Sequence, residues 1–213
     1  MVDSRLFDRL FAEHAGVGSI MLGSRRRRRE RWRSKRAAWV RDIMRELGRH
    51  YLTTDKIAYA NSANITCTLA SLASSATAGR TCTAIDNTGN LYDDALVTLS
   101  IKTGAGAPAN DKAVYAYIYG SQDGTNFDQE ESNAPGTDGA YTINSPTIFK
   151  GPEVIPVLTA AKVYTRTFSL AKYWNGVLAA KWGFIVVNFA GQSLDATEGN
   201  HIKTYSGVTW TNG

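Results

Sequence analysis

Paired carboxylates are the first residues in this chain with the makings of an active site. Asp93–Asp94, Glu130–Glu131 and the stretch "LDATEGN", with Asp195 and Glu198, each bring two acids within a few residues. On a β scaffold, two carboxyl groups flanking a glycosidic bond can serve as acid and as base or nucleophile. That chemistry needs apolar and aromatic walls to keep one of the two protonated. Asp93–Asp94 instead opens a strand after "NTGNLY", and Glu130–Glu131 lies in a polar loop. Both are expected to be solvated turn carboxylates. Asp195, Glu198 and Asn200 fit no calcium-loop spacing.

Other chemistry is thinner still. His14, His50 and His201 are scattered, and none has a second metal-type ligand at a useful spacing. Cys67, in "ITCTL", and Cys82, in "RTCTA", lack a CxxC partner. They read as two half-buried strand thiols, with a bridge between them as the alternative. There is no GxSxG, no P-loop and no GxGxxG after a strand. "GAGAPAN" lacks the Lys and Ser/Thr that hold a phosphate, and a hairpin loop explains it better. The expectation is a protein with no catalytic residue, no cofactor and no metal.

The strongest chemical signal is cationic. "SRRRRRERWRSKRAAW", residues 24–39, contains Arg25, Arg26, Arg27, Arg28, Arg29, Arg31, Arg33 and Arg36, with Trp32 and Trp39 seven residues apart. Residues 1–52 hold fourteen Lys/Arg against six Asp/Glu, a formal charge of +8. The remaining residues hold ten against thirteen, or −3. A basic arm on a mildly acidic body marks an arm that meets something negative. Arginine favours bidentate capture of carboxylate or phosphate. A protein partner would bury Trp32, Trp39, Ile43 and Leu47 and leave the arginines at the rim. Nucleic acid would be held electrostatically, without sequence preference.

The elements that must carry these residues follow from periodicity. "DSRLFDRLFAEHAG" (3–16) repeats a Leu-Phe pair four residues apart, which stacks the pairs on one helical face. "VGSIMLGS" is a short joint. From about Arg25 to Tyr51, Trp32, Arg36, Val40, Ile43 and Leu47 recur at helical spacing. Two short amphipathic helices bury too little to fold alone, so the arm is expected to order on a partner or on neighbouring copies. No run of about 18 apolar residues predicts a transmembrane helix. The N-terminal apolar segment precedes its charges, the reverse of a signal peptide.

From residue 56 the period falls to two. "NITCTLASL" (64–72), "DALVTLSIKTG" (94–104), "KAVYAYIYGS" (112–121), "AAKVYTRTFSL" (160–170), "WGFIVVNFAG" (182–191) and "IKTYSGVTW" (202–210) read as strands. "GAGAPAND" reads as a hairpin loop joining the second and third. "SQDGTNF" and "PGTDGAY" are Asp-Gly turns. The expected fold is mainly β: an antiparallel β-sandwich or jelly roll over 53–213, preceded by an α-helical basic arm over 1–52. In 112–121, Val114, Ala116 and Ile118 share one face and Tyr115, Tyr117 and Tyr119 the other, as in a central strand. No basic residue alternates with the tyrosines, so the row reads as a subunit interface or a second core layer.

Several of these stretches carry a resemblance. "LYDDALVTLSIKTGAGAPANDKAVYAYIYGSQDGTNF", "GTDGAYTI", "VIPV" and "LDATEGNHIKTYSGV" resemble small virion structural proteins of tailed bacteriophages, over about residues 56–210. The resemblance implies a non-enzymatic β-sandwich subunit, assembled in the bacterial host cytoplasm and repeated in the virion. Its partners would be the major capsid protein or tail and portal proteins, and itself as a dimer or trimer. Capsid decoration or cementing is the preferred role. A tail, collar or fibre-attachment adaptor is the alternative, and a nucleic-acid-binding protein is the alternative of another class.

Overall fold

The computed structural model describes Val40, residues 56–130 and residues 135–211. The chain divides into two units, Met1–Thr54 and Asp55–Gly213. In the first, only Val40 is described, as a helical, exposed residue. The expected arm helices, the arginines from Arg25 to Arg36, and Trp32, Trp39, Ile43 and Leu47 lie outside the described residues.

The second unit is mainly antiparallel β. Its strands are β1 (Lys56–Tyr59), β2 (Ala63–Asn64), β3 (Ala78–Thr81), β4 (Ile85–Asp86), β5 (Asp94–Lys102), β6 (Ala113–Ser121), β7 (Gly139–Thr142), β8 (Lys150–Pro156), β9 (Val163–Ser169), β10 (Lys181–Phe189) and β11 (Ile202–Thr211). They form two sheets. The first runs β1-β11-β5-β9, with β2 beside β11; the second runs β7-β3-β10-β6-β8, with β4 beside β10.

The core lies between the sheets because both contribute an alternating apolar face. On β5, Ala95, Val97, Leu99 and Ile101 are fully buried. They meet Val114, Ala116 and Ile118 of β6 and Trp182, Phe184 and Val186 of β10 in one cluster. Each large aliphatic or aromatic side chain so buried contributes about 1.5–3 kcal/mol. β10 also buries its other face. Ile185 and Val187 join Tyr119, Tyr141, Ile143 and Phe149 in a second cluster on the outside of that sheet. Strand β6 lies between β10 and β8, the central position its two covered faces call for.

Three expectations are corrected. The loop "GAGAPAND" is not a hairpin, because β5 belongs to the first sheet and β6 to the second. Both strands need their apolar faces buried against each other, so the loop crosses between the layers. It is seated by Gly104 N–H on Ser193 O and Ala109 N–H on Ala190 O. Gly191 makes that crossing possible: its φ is +74°, and a Cβ there would lie 2.5 Å from the Ala109 Cβ.

The second correction concerns residues 64–72. Ile65, Cys67 and Leu69 are buried, Thr66 and Thr68 exposed and Ala70 half-buried, so the alternation is real. Yet β2 ends at Asn64. Carboxylates take the place of a neighbouring strand: Asp138 accepts from Thr68 N–H, and Glu198 accepts from Leu69 and Ala70 N–H. The third correction is that Cys67 and Cys82 are joined in a disulfide, with Cα atoms 4.4 Å apart. Both are buried in the shared core. The bridge ties the segment leaving the first sheet to the end of β3 in the second. Two cysteines fifteen residues apart, each in a Thr-Cys-Thr setting, gave no local sign of this contact.

Candidate functional site

The acidic residues that opened the search prove to be structural acceptors. Asp94 Oδ1 takes N–H bonds from Ala95, Leu170 and Ala171, and its Oδ2 takes the Ser169 hydroxyl. Asp93 Oδ2 accepts from Trp210 N–H at 2.7 Å. Glu130 is only 5% exposed and accepts from Asn144 and Ser145 N–H; Glu131 lies outside the described residues. The expectation of solvated turn carboxylates is therefore wrong for Asp94 and Glu130. Both hold backbone N–H groups in place, and leaving a buried N–H unpaired would cost about 1–3 kcal/mol.

The "LDATEGN" stretch folds on itself in the same way. Asp195 accepts from Asn200 Nδ2 and Thr197 N–H and pairs with Lys102 at 3.0 Å. The Asn200 bond, with those of Thr197 and Lys102, holds its carboxyl well below the usual range. Glu198 pairs with Lys203 as well as with the two N–H groups of residues 69 and 70. His201 is buried between Asp195 O and Lys102 N–H. Among the described residues, no group of three His, Cys, Asp or Glu is placed to hold a metal.

The tyrosine row is divided. Tyr119 is fully buried, and its hydroxyl donates to Cys82 O at 2.5 Å. Burial pushes its phenol above the ordinary value. It belongs to the outer apolar layer and offers nothing to a partner. Tyr115 and Tyr117 are half-buried at the margin of that layer, and Tyr115 donates to Asp111.

Three features escape sequence reasoning. The first is Glu153 on β8, 4% exposed. It accepts from Tyr173 Oη at 2.6 Å, pairs with Arg166 of β9 at 3.2 Å, and pairs with Lys172. Burial alone would raise this carboxyl, but the Lys172, Tyr173 and Arg166 bonds outweigh it and hold it low. One acid thus ties the margin of each sheet and the turn Ala171–Trp174 together. The second is an exposed apolar group on the outer face of the first sheet. Ile57 and Trp210 are register partners, next to Tyr59 paired with Val208. Ile57, Tyr59 and Trp210 are 46%, 64% and 60% exposed. Beside them β1 ends the sheet among the described residues.

The third is an open cleft of about 310 Å³ at the Ser121 end of β6. Trp174 forms one wall, and its ring edge rests on Gly120, where a Cβ would come within 2.4 Å of Trp174 Cζ2. Lys150 Nζ lies 5.5 Å from the Trp174 ring centroid and 3.0 Å from Asp128 Oδ2. Gln122, Asp123, Asn126 and Phe127 complete the lining. Asp123 is consumed by its own turn, accepting from Ser121, Thr125 and Asn126. The Asn126 and Thr125 N–H bonds hold its carboxyl far below the usual range. Trp174, Lys150 and Asp128 are too far apart in sequence for any motif to have joined them.

No protein-family model matches the chain, and neither does any curated protein sequence.

Proposed function

We propose that this protein is a non-enzymatic structural subunit of a tailed-phage virion. Its body is a β-sandwich, and its basic arm docks the body on an acidic partner. The observation that carries this reading is the division of the chain. A segment of net charge +8 precedes a body of net charge −3. Asp94, Glu130 and Glu198 of that body accept backbone N–H bonds. A self-contained, stapled body with a sticky basic extension is built for attachment. The preferred site is the capsid surface, where the arm would lie across neighbouring subunits and order there. Contact between copies falls to the exposed Ile57, Tyr59 and Trp210 beside β1, the strand that ends its sheet among the described residues, since Tyr119 is buried. An unpaired strand edge bordered by apolar side chains is a ready template for a second chain.

The test is the copy number of the chain in purified particles, by quantitative mass spectrometry against the major capsid protein. A ratio near one, or a simple fraction such as a third, places it on the shell. A ratio of a few per cent assigns the same arm to a tail, collar or portal ring. Absence from particles sinks the reading. The run Arg25–Arg29 favours one second reading, a protein that holds nucleic acid. It predicts duplex DNA binding that falls steeply with salt and ignores Trp32→Ala and Trp39→Ala.

A further inference from the structure

We propose that the cleft beside Trp174 is a carbohydrate-binding site that takes the end of a neutral glycan. The inference is independent of the assembly role and rests on what lines the cleft. Sugar rings have one face of C–H bonds and a rim of hydroxyls. The first needs an aromatic wall, whose electron-rich face attracts the polarised C–H groups. The second needs a few fixed donors and acceptors close to that wall.

Both are present. Trp174 supplies the wall, and its position is fixed by contact with Gly120 and an edge-on packing against Tyr173, ring centroids 6.5 Å apart. Lys150 and Asp128 supply a donor and an acceptor 3.0 Å apart, a pair suited to adjacent ring hydroxyls. Asp128 is held in turn by Gly120 N–H on the same Oδ2, and its Oδ1 has no bond among the described residues. Asn126 Nδ2 is pinned to Asp123 at 2.6 Å, so its carbonyl oxygen is the end left for a ligand. Gln122 is exposed and adds an amide with both a donor and an acceptor. Lysine and carboxylate already neutralise each other here, so a hydroxyl that accepts from one and donates to the other enters without burying a bare charge.

Charge selects among glycans. Asp123 and Asp128 against Lys150 give the lining a formal charge of −1. That repels phosphate, sialic acid and nucleic acid and leaves neutral sugars as the matching class. The volume is at the small end for ligand sites, which suits a terminal sugar unit and not a long stretch of chain. The open mouth would let the rest of a glycan leave into solvent.

The test uses the full-length chain on an array of immobilised neutral, sialylated and phosphorylated glycans. Binding to a subset of neutral glycans is expected. Trp174→Ala should lower it at least tenfold, and Asp128→Asn and Gln122→Ala severalfold. Leu158→Ala, which removes an exposed apolar side chain elsewhere, should leave it unchanged, as should alanine at Arg25–Arg29. Should Trp174→Ala unfold the body, Gln122→Ala decides the matter, because that exposed side chain makes no bond within the described residues. Three results overturn the proposal: no glycan binds, neutral binding survives both Trp174→Ala and Gln122→Ala, or only anionic glycans bind and do so through the arm arginines.

Discussion

The two sheets have the same central construction and opposite exteriors. In each, a long strand is paired on both sides: β5 with the long β11 and β9, β10 with the long β6 and the short β3. Outside β10 and β6 the chain lays a second apolar layer, with Tyr119 at its centre and Tyr141, Phe149 and Phe127 around it. Outside β5 lie hydroxyls. Thr98 meets Thr167 at 3.1 Å and Thr165 meets Ser100 at 2.9 Å, with Ile57, Tyr59 and Trp210 grouped beyond them. One sheet is therefore an interior spine covered on both sides, and the other is a wall with an outside. The burial of β10 shows in its sequence, "KWGFIVVNF", which has lost its alternation, whereas "DALVTLSIK" keeps it.

This asymmetry can be broken most forcefully at the spine. Phe184→Ala should lower the unfolding free energy by about 4 kcal/mol in urea titrations. A cost below about 1 kcal/mol would mean that the spine is no better packed than the wall. Replacing Cys67 and Cys82 together by serine should cost about 3 kcal/mol, the value for a loop of this length. Thermal melts with and without the pair measure it, and an unchanged melt would show that the two sheets hold together without their staple.

Acid should weaken the link between the sheets before it touches either interior. Glu153 is held below its ordinary value by Lys172, Tyr173 and Arg166, and Glu198 by Lys203 and two N–H groups, each against the opposing effect of burial. The folded chain thus binds fewer protons than the unfolded chain at mildly acidic pH. Stability is complete above the unfolded carboxylate values and should fall as pH drops from about 5 towards 2. Glu153→Ala should cost about 2 kcal/mol at neutral pH and flatten that slope. A slope identical to the parent would remove Glu153 from the link. Tyr119→Phe should cost about 1 kcal/mol, by stripping a buried donor from Cys82 O while leaving the ring. The smallest effect is expected on the wall. Trp210→Ser should shift stability by less than about 0.5 kcal/mol. It should, however, reduce self-association in sedimentation experiments, and a chain equally monomeric before and after would remove this face as a contact between copies.

Much of the strand content was legible. Strands β5, β6, β9 and β11 stand where alternating patterns rich in Val, Ile, Tyr and Thr predict them, and β10 stands where a continuous apolar run predicts a strand. The partition into sheets was not legible. A glycine-rich loop looks the same whether it turns a hairpin or crosses a core, and only the tertiary need to bury both Leu99 and Ile118 decides. The roles of Asp94, Glu130 and Glu198 were hidden for a related reason. A carboxylate that accepts N–H groups up to 129 residues away carries no local mark of that duty. The cleft is the extreme case, since Gly120, Asp128, Lys150 and Trp174 come from four separate segments.

The body begins and finishes on neighbouring strands, with Lys56 opposite Thr211. That arrangement makes its resistance to mechanical force depend on direction. A pull separating residue 56 from residue 211 would open β1 from β11 like a zipper: Ile57 from Trp210, then Ala58 from Thr209, then Tyr59 from Val208. Each pair would bear the whole tension in turn and yield at low force. A pull on residue 56 along its strand, with the body gripped by the second sheet, would strain all four pairs at once. A tether through the N-terminal side would hold far more firmly in that second geometry, with no change in any contact.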